Sequence, residues 1–533
     1  MTSTSREEFS SRRSVVYGTN GAIATSQPMA ARIGLRVLED GGNAVDAAVA
    51  AMAALGVLEP MWTGVGGDAF AIVSVPGQGI RCINGSGPAG SLRDAESLRG
   101  HGMRTMPTGG EPKEGLAAMC VTVPGAVAAW SELLNELGTI TIDAALEPAE
   151  RLAADGFPVG EVAAWMWRRS RHRLLAYPGG EELLVDGRAP RAGELVRLPT
   201  LALTLKAIRR EGPDGLYQGS IGEKIAKTIE DLGGAVSQED LATYKPEWVD
   251  PISETYGPYR VYQCPPNGQG VVTLMTLRAL AEHRNPTSTN APHRIRDLVD
   301  ELWRALDVAR HYVADPRFGG LTYSQILDQD SPKQQHASVV DSAGDTAYVA
   351  VIDGAGLACS LINSLFHEFG SGVIVPGTGI ALHNRGALFS LEPGHPNELQ
   401  PGKRPYHTII PSIVESEDGW LSAFGVVGGF RQPQAQVQIL LNIADLDLDP
   451  QSAIEKPRFG IDLEAGDLVL EPGFSMESIE ELAESGRHIR FVEGFERGFV
   501  GRRRWCRVTP GGFSPGEVTR GRTDSHLPFE ADR

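Results

Sequence analysis

The chain has 533 residues, 41% hydrophobic and 22% charged, with a formal net charge of -18. That balance provides for a large buried core and argues against nucleic acid or an anionic membrane surface as the main partner, because neutralising phosphate requires a basic face. Five cysteines (Cys82, Cys120, Cys264, Cys359, Cys506), odd in number and without a Cys-x-x-Cys pair, fit reduced thiols in a cytoplasm better than a disulfide framework or zinc site.

The opening residues, MTSTSREEFSSRRSVVYG, scatter charge without an apolar segment and read as neither signal nor anchor, and no later apolar run reaches bilayer length. A strand over Gly21–Thr25 leads into a helix over Pro28–Asp40, closed by Gly41 and Gly42. A second helix runs from Asn43 or Asp46 to Leu58; Ala47, Ala48, Ala50, Ala51, Ala53 and Ala54 permit close packing, and Pro60 stops it. The turn TGVGGD (63–68) precedes a buried strand, AFAIVSV, whose hairpin partner is RCINGSG. This glycine turn is no dinucleotide fingerprint, because Ala69 holds the last position and a strand, not a helix, follows.

Between about 130 and 340 the apolar spacing predicts helices in AVAAWSELLNEL, IDAALEPAERLAADG, SIGEKIAKTIEDLGG and IRDLVDELWRALDVARHYV. From 346 strands return (AYVAVID, LACSLIN, GVIVPG, LSAFGVV, DLVLEP), broken by one helix near Gln434–Ala444, and the basic run Arg502–Arg504 reads as solvated surface. Strands at both ends with helices between them imply a layered α/β architecture. Four histidines, His367, His383, His395 and His407, lack the i, i+4 spacing of a helical zinc motif, which argues against a metal hydrolase.

One feature stands apart: Gly344, Asp345 and Thr346 open a strand that is otherwise apolar on both faces. A threonine hydroxyl is a weak nucleophile until a base stands beside it, and chain cleavage supplies one when the residue becomes an N-terminus. The reference pKa of an α-amine is about 7.7–8.0, more than two units below lysine, so a neutral fraction exists near physiological pH.

The surrounding segments carry a resemblance. GDTAYVAVIDGAG (344–356), SLINSLFHEFGSG (360–372), GKRPYHTIIPSIV (402–414) and GVVGGF (425–430), with the collinear segment 24–70, resemble the γ-glutamyltransferase (glutathione hydrolase) family of N-terminal-nucleophile hydrolases. The resemblance implies a four-layer αββα sandwich. It also implies self-cleavage between Asp345 and Thr346, giving a large subunit, 1–345, and a small subunit, 346–533, that stay associated. Thr346 would then be the nucleophile, Ser364 the second hydroxyl that positions it, and Gly428 and Gly429 the backbone donors for the oxyanion. Such chemistry uses no cofactor and no metal.

The glutamyl-binding positions depart from the family's pattern. Ser86 stands where the resemblance places a carboxylate-binding arginine, Phe366 replaces an asparagine and Leu388 replaces the aspartate that receives the α-amine; Arg385 replaces a glutamine, and His407 and Thr408 replace a serine pair. A buried charge needs a partner, so this pattern implies an acyl group without a free α-amine, with a carboxylate that Arg385 would hold in a bidentate pair. It resembles the branch that includes cephalosporin-acylase-type and small-amide hydrolases. The expected partner is a small amide or peptide substrate, not nucleic acid or membrane; a homo-oligomer is compatible. A true γ-glutamyl transferase and a non-catalytic binding protein on the inherited fold are the alternatives.

Overall fold

A computed structural model describes residues 15–110, 118–282, 292–330, 344–484, 486–508 and 516–520. Residues 1–14, read above as neither signal nor anchor, and the tail from 521 lie outside the described part, as does the side chain of Asp345.

Two antiparallel sheets stack face to face. The six-stranded sheet runs Gly21–Ala24, Asp345–Asp353, Ala358–Phe366, Asp68–Val75, Gly79–Gly85, Glu247–Val249. The seven-stranded sheet runs Val16–Gly18, Gly516–Arg520, Arg502–Val508, Leu421–Val427, Ser412–Ser416, Tyr259–Gln263, Ile252–Tyr256. Alternate residues of both fill the space between them, among them Phe70, Ile72, Tyr348, Ile362, Ile413 and Val427. Polar bonds cross the same gap: the Ser412 N–H donates to Ser360 Oγ at 3.1 Å, and Ser360 Oγ shares a proton with Tyr348 Oη at 2.7 Å. Gly425 makes room for that tyrosine, since a Cβ there would lie 2.5 Å from its ring.

Helices cover both outer faces and complete the expected αββα order. Every residue of the Ala44–Leu58 helix is buried on the six-stranded sheet. Asn43 caps its first turn, accepting from the Val45 and Asp46 N–H groups, while Asp46 accepts from the Asn43 N–H, a reciprocal capping box. Helices Gly270–Glu282 and Arg431–Leu446 pack against the seven-stranded sheet, and Pro292–Tyr312 packs on the first of them. Among the described residues no helix is long and apolar enough to cross a membrane, and all five cysteines are buried thiols outside any disulfide.

Three differences from the sequence reading have physical causes. The segment read as predominantly helical also contains the hairpin Ile252–Tyr256/Tyr259–Gln263, whose strands are too short and half-exposed to produce a marked period. Ser412–Ser416 is a further strand that begins inside the segment 402–414 quoted for the resemblance. The Arg502–Arg504 run is not solvated surface: it opens a sheet strand, Arg504 is buried, and the Arg502 guanidinium lies 3.5 Å over the Trp62 ring.

Candidate active site

Thr346 is the second residue of its strand and is buried, with 2% of its surface exposed. The ladder to the neighbouring strand is irregular there: Asp345 pairs with Phe366, but Ala347 pairs with Asn363, so Ser364 and Leu365 together oppose one residue. Such a bulge re-aims side chains. Ser364 Oγ accepts from Thr346 Oγ1 at 3.3 Å and from the Phe366 N–H at 2.8 Å. Phe366 itself has φ +76, a strained value for a bulky residue.

A third group reaches the threonine. Gln432, in the first turn of the Arg431–Leu446 helix, points Nε2 at Thr346 Oγ1 at 3.5 Å, and the Ile410 N–H donates to its Oε1 at 2.9 Å, which fixes the amide's orientation. The turn before this helix carries Gly428 at φ +127 and Gly429 at φ +56, values that glycine adopts without a Cβ penalty. Gly429 packs on Gly344: a Cβ on Gly344 would stand 3.3 Å from the Gly429 Cα and 2.9 Å from the Phe366 ring. The residue two positions before Thr346 is thus held between the glycine turn and Phe366.

Beside this neutral group lies a charged one. Asp68, opposite Ser364 in the ladder, is wholly buried. Its Oδ1 accepts from the Gly87 N–H at 3.2 Å, and its Oδ2 faces His407 Nε2 at 3.0 Å, His383 Nδ1 at 3.6 Å and Arg385 Nε at 3.8 Å. The tautomers follow from the other ring nitrogens. His407 Nδ1 accepts from the Ile409 N–H, so Nε2 carries the proton donated to Asp68; His383 donates through Nε2 to the Thr122 carbonyl, leaving Nδ1 as an acceptor.

Burial would raise the Asp68 carboxyl, but His383, the His407 hydrogen bond and Arg385 hold it below the usual range. Burial, with Arg385 adding to it, pushes His407 down to about 3, and burial also lowers His383. Burial lowers Arg385 to about 9 against the pull of Asp68. At neutral pH the cluster therefore contains one anion, one cation and two uncharged imidazoles.

Arg385 has no exposed surface. Its Nη1 donates to Thr408 Oγ1 at 2.7 Å, and its guanidinium lies 4.6 Å over the Phe366 ring. Among the described residues Nε and Nη2 have no hydrogen-bond acceptor. A buried, unsatisfied donor costs about 1–3 kcal/mol.

Of the residues singled out in the sequence, Thr346, Ser364, Phe366, Arg385, His407, Thr408, Gly428 and Gly429 converge. Ser86 joins only indirectly, its hydroxyl accepting from Asn267, whose carbonyl in turn accepts from the His407 N–H at 2.9 Å. Leu388 is half-buried at the edge of the group. Asp68 and Gln432 were missed, and His383 was weighed only as a metal ligand. The available signals were a carboxylate opening an apolar strand and a glutamine three residues past the glycine pair.

The family model for Gamma-glutamyltranspeptidase matches residues 30–525. The chain is 33% identical over 502 residues to the glutathione hydrolase-like YwrD proenzyme of Bacillus subtilis (strain 168), covering 90% of this chain and 93% of that one. It is 32% identical over 497 residues to the oxamate amidohydrolase proenzyme of Klebsiella pneumoniae, covering 90% and 92%. A cephalosporin acylase structure from Bacillus halodurans superimposes with a TM-score of 0.86 at 36% identity over 98% of each chain. On a match of this extent, and on the stacked sheets that carry the site, the chain belongs to the gamma-glutamyltranspeptidase family and is an amide-hydrolysing enzyme of the N-terminal-nucleophile fold.

Proposed function

We propose that the chain is an autoprocessing amide hydrolase for an acyl group that carries a carboxylate and no free α-amine. Thr346 Oγ first attacks the Asp345 carbonyl, and the resulting ester is hydrolysed to give chains 1–345 and 346–533. The new α-amine of Thr346 then takes the proton from its own hydroxyl as Oγ attacks the substrate amide. Ser364 and Gln432 hold that oxygen in place, and the Gly428 and Gly429 N–H groups receive the oxyanion. Water, or an acceptor amine, resolves the acyl-enzyme.

The observation that carries the substrate reading is the buried Arg385 guanidinium, with two N–H-bearing nitrogens lacking acceptors among the described residues, stacked on the Phe366 ring whose own backbone N–H bonds Ser364. A carboxylate would satisfy both nitrogens in a bidentate pair. An α-ammonium would meet Phe366 and Leu388, neither of which offers an acceptor side chain. The Klebsiella pneumoniae relative is named for oxamate, an amide whose acyl half ends in a carboxylate and bears no amine.

The test is a hydrolysis screen setting γ-glutamyl anilide and glutathione against oxamate, glutaryl and other short dicarboxylic monoamides. The expected result is preference for the monoamides, and strong preference for γ-glutamyl donors overturns the acyl assignment. A denaturing gel separates enzyme from inert scaffold: folded protein that stays one full-length chain contradicts autoprocessing.

A further inference from the structure

Gln269 stands immediately before the Gly270–Glu282 helix and has no exposed surface. Two backbone bonds fix it against a segment of the active site: the His407 N–H donates to the Asn267 carbonyl at 2.9 Å, and the Gln269 N–H donates to the His407 carbonyl at 2.9 Å, a short parallel bridge. From that base the side-chain Nε2 donates to two carbonyls at once, Thr408 at 2.6 Å and Gly429 at 2.9 Å, while Oε1 accepts from the Tyr406 hydroxyl at 3.2 Å. The partners dictate which way the amide faces, since a carbonyl can only accept and the hydroxyl can donate.

Both carbonyls belong to residues of the site. Thr408 carries the hydroxyl that accepts from Arg385 Nη1, and Gly429 is the second residue of the glycine turn. That turn has no Cβ to restrict its backbone, so its direction must be imposed from outside. The Gly428 carbonyl accepts from the Arg431 N–H at 3.0 Å and the Gly429 carbonyl from the Gln432 N–H at 3.2 Å, which ties the turn to the helix that follows it. Gln269 ties it to the other side, where Thr408 and Arg385 stand. The Gly429 carbonyl is already paired by the helix, so no amide is needed to satisfy it, and burying an amide costs free energy that an apolar side chain of the same size would not. What the amide adds is direction.

We propose that Gln269 is a positioning residue for the reaction: it holds the Gly428–Gly429 turn in register with Thr408, so that the backbone N–H donors meet the oxyanion of an acyl group whose far end Arg385 holds. This rests on the reading of the glycine turn as the oxyanion site. Donors of this kind must stay within about 0.5 Å of the productive geometry. A displacement is felt mainly in the transition state, where the negative charge resides, and little in the bound amide. Arg385 keeps Phe366 and Asp68 as neighbours whatever stands at 269, so ground-state binding of the acyl end is largely independent of the glutamine.

The test uses the mature enzyme, an amide of the acyl group preferred in the screen above, and two inhibitors built on that group: the product acid and the corresponding boronic acid. Boron accepts an electron pair from Thr346 Oγ and becomes a tetrahedral anion, the hydroxyl proton passing to the α-amine. Gln269→Met is expected to lower kcat about tenfold with KM within about twofold, and to weaken the boronic acid about tenfold while the product acid shifts less than about twofold. Tyr406→Phe keeps both Nε2 bonds and removes only the hydroxyl that orients the amide. It should show the same pattern at about two- to threefold, and it carries the test if Gln269→Met does not mature. Equal weakening of the two inhibitors, or an unchanged kcat with only a lower denaturant midpoint, overturns the proposal. Failure of the oxyanion reading appears separately, as a wild-type enzyme that binds the boronic acid no more tightly than the product acid.

Discussion

Among the described residues two arginines, Arg385 and Arg458, have no exposed surface, and by ordinary measures they are twins. Arg385 stands 3.8 Å from Asp68, and Arg458 stands 3.8 Å from Glu471. Among the described residues each leaves two guanidinium nitrogens without a hydrogen-bond acceptor. Burial lowers the first to about 9 and the second to about 10. Their surroundings separate them. Arg458 donates to the Gly501 carbonyl, and its carboxylate also takes Arg497 at 3.1 Å, beside the small three-stranded sheet. Arg385 lies on a phenylalanine two bonded steps from Thr346. Burial and unsatisfied donors do not by themselves mark a recognition site; adjacency to a reactive hydroxyl does.

The comparison breaks first at its reactive end. Thr346→Ala should abolish both chain cleavage and turnover, and Thr346→Ser should retain partial processing. Two-chain product from the alanine variant would remove the reason for treating Arg385 differently. Next in size, Arg385→Met should lower kcat/KM for carboxylate-bearing amides about 10- to 100-fold, the worth of charge-assisted hydrogen bonds, with neutral isosteres within about threefold. Arg458→Met should leave that ratio alone and instead lower the denaturant midpoint, since it removes the buried guanidinium and its bond to the Gly501 carbonyl while Glu471 keeps Arg497. If both variants change the ratio alike, the distinction fails.

Acid should sharpen it further. His407 is held near 3 in the fold, chiefly by burial, whereas an unfolded histidine titrates near 6.5. Between those values the unfolded chain binds a proton that the folded chain refuses. Stability therefore falls as pH drops through this window, by up to about 1.4 kcal/mol per pH unit from this residue. His407→Gln should flatten the dependence of the denaturant midpoint between about pH 6.5 and 4, and Arg458→Met should not. The smallest effect is expected at Gln432. Gln432→Met removes one neutral donor from Thr346 Oγ and should reduce kcat about 3- to 10-fold with little change in KM.

Much of the frame was legible because its signals are local. Asn43, Asp46 and a run of alanines announce the Ala44–Leu58 helix, and the apolar Ala347–Ile352 run announces a central strand. Thr346, Ser364 and the glycine pair were legible through resemblance, segment by segment. Asp68 was not, because its meaning depends on His407, 339 residues away, and His383 and Arg385, which only the folded chain brings to it. The same holds for Gln432, 86 positions from the threonine it faces. Arg502–Arg504 misled for the converse reason: a basic triplet reads as surface until Trp62 and the sheet are in place beside it.

The order of strands has one more consequence. Asp345–Asp353 lies between Gly21–Ala24 and Ala358–Phe366, and in the other sheet Ser412–Ser416 pairs with Tyr259–Gln263, so each sheet interleaves segments from before and after residue 346. Severing the backbone there would not separate the pieces, but it would make renaturation a second-order process. Recovery of the native form from denaturant should then depend on protein concentration for the mature enzyme and not for an uncleaved precursor. The molecule would be assembled once, as a single thread, and could not readily be reassembled from its two.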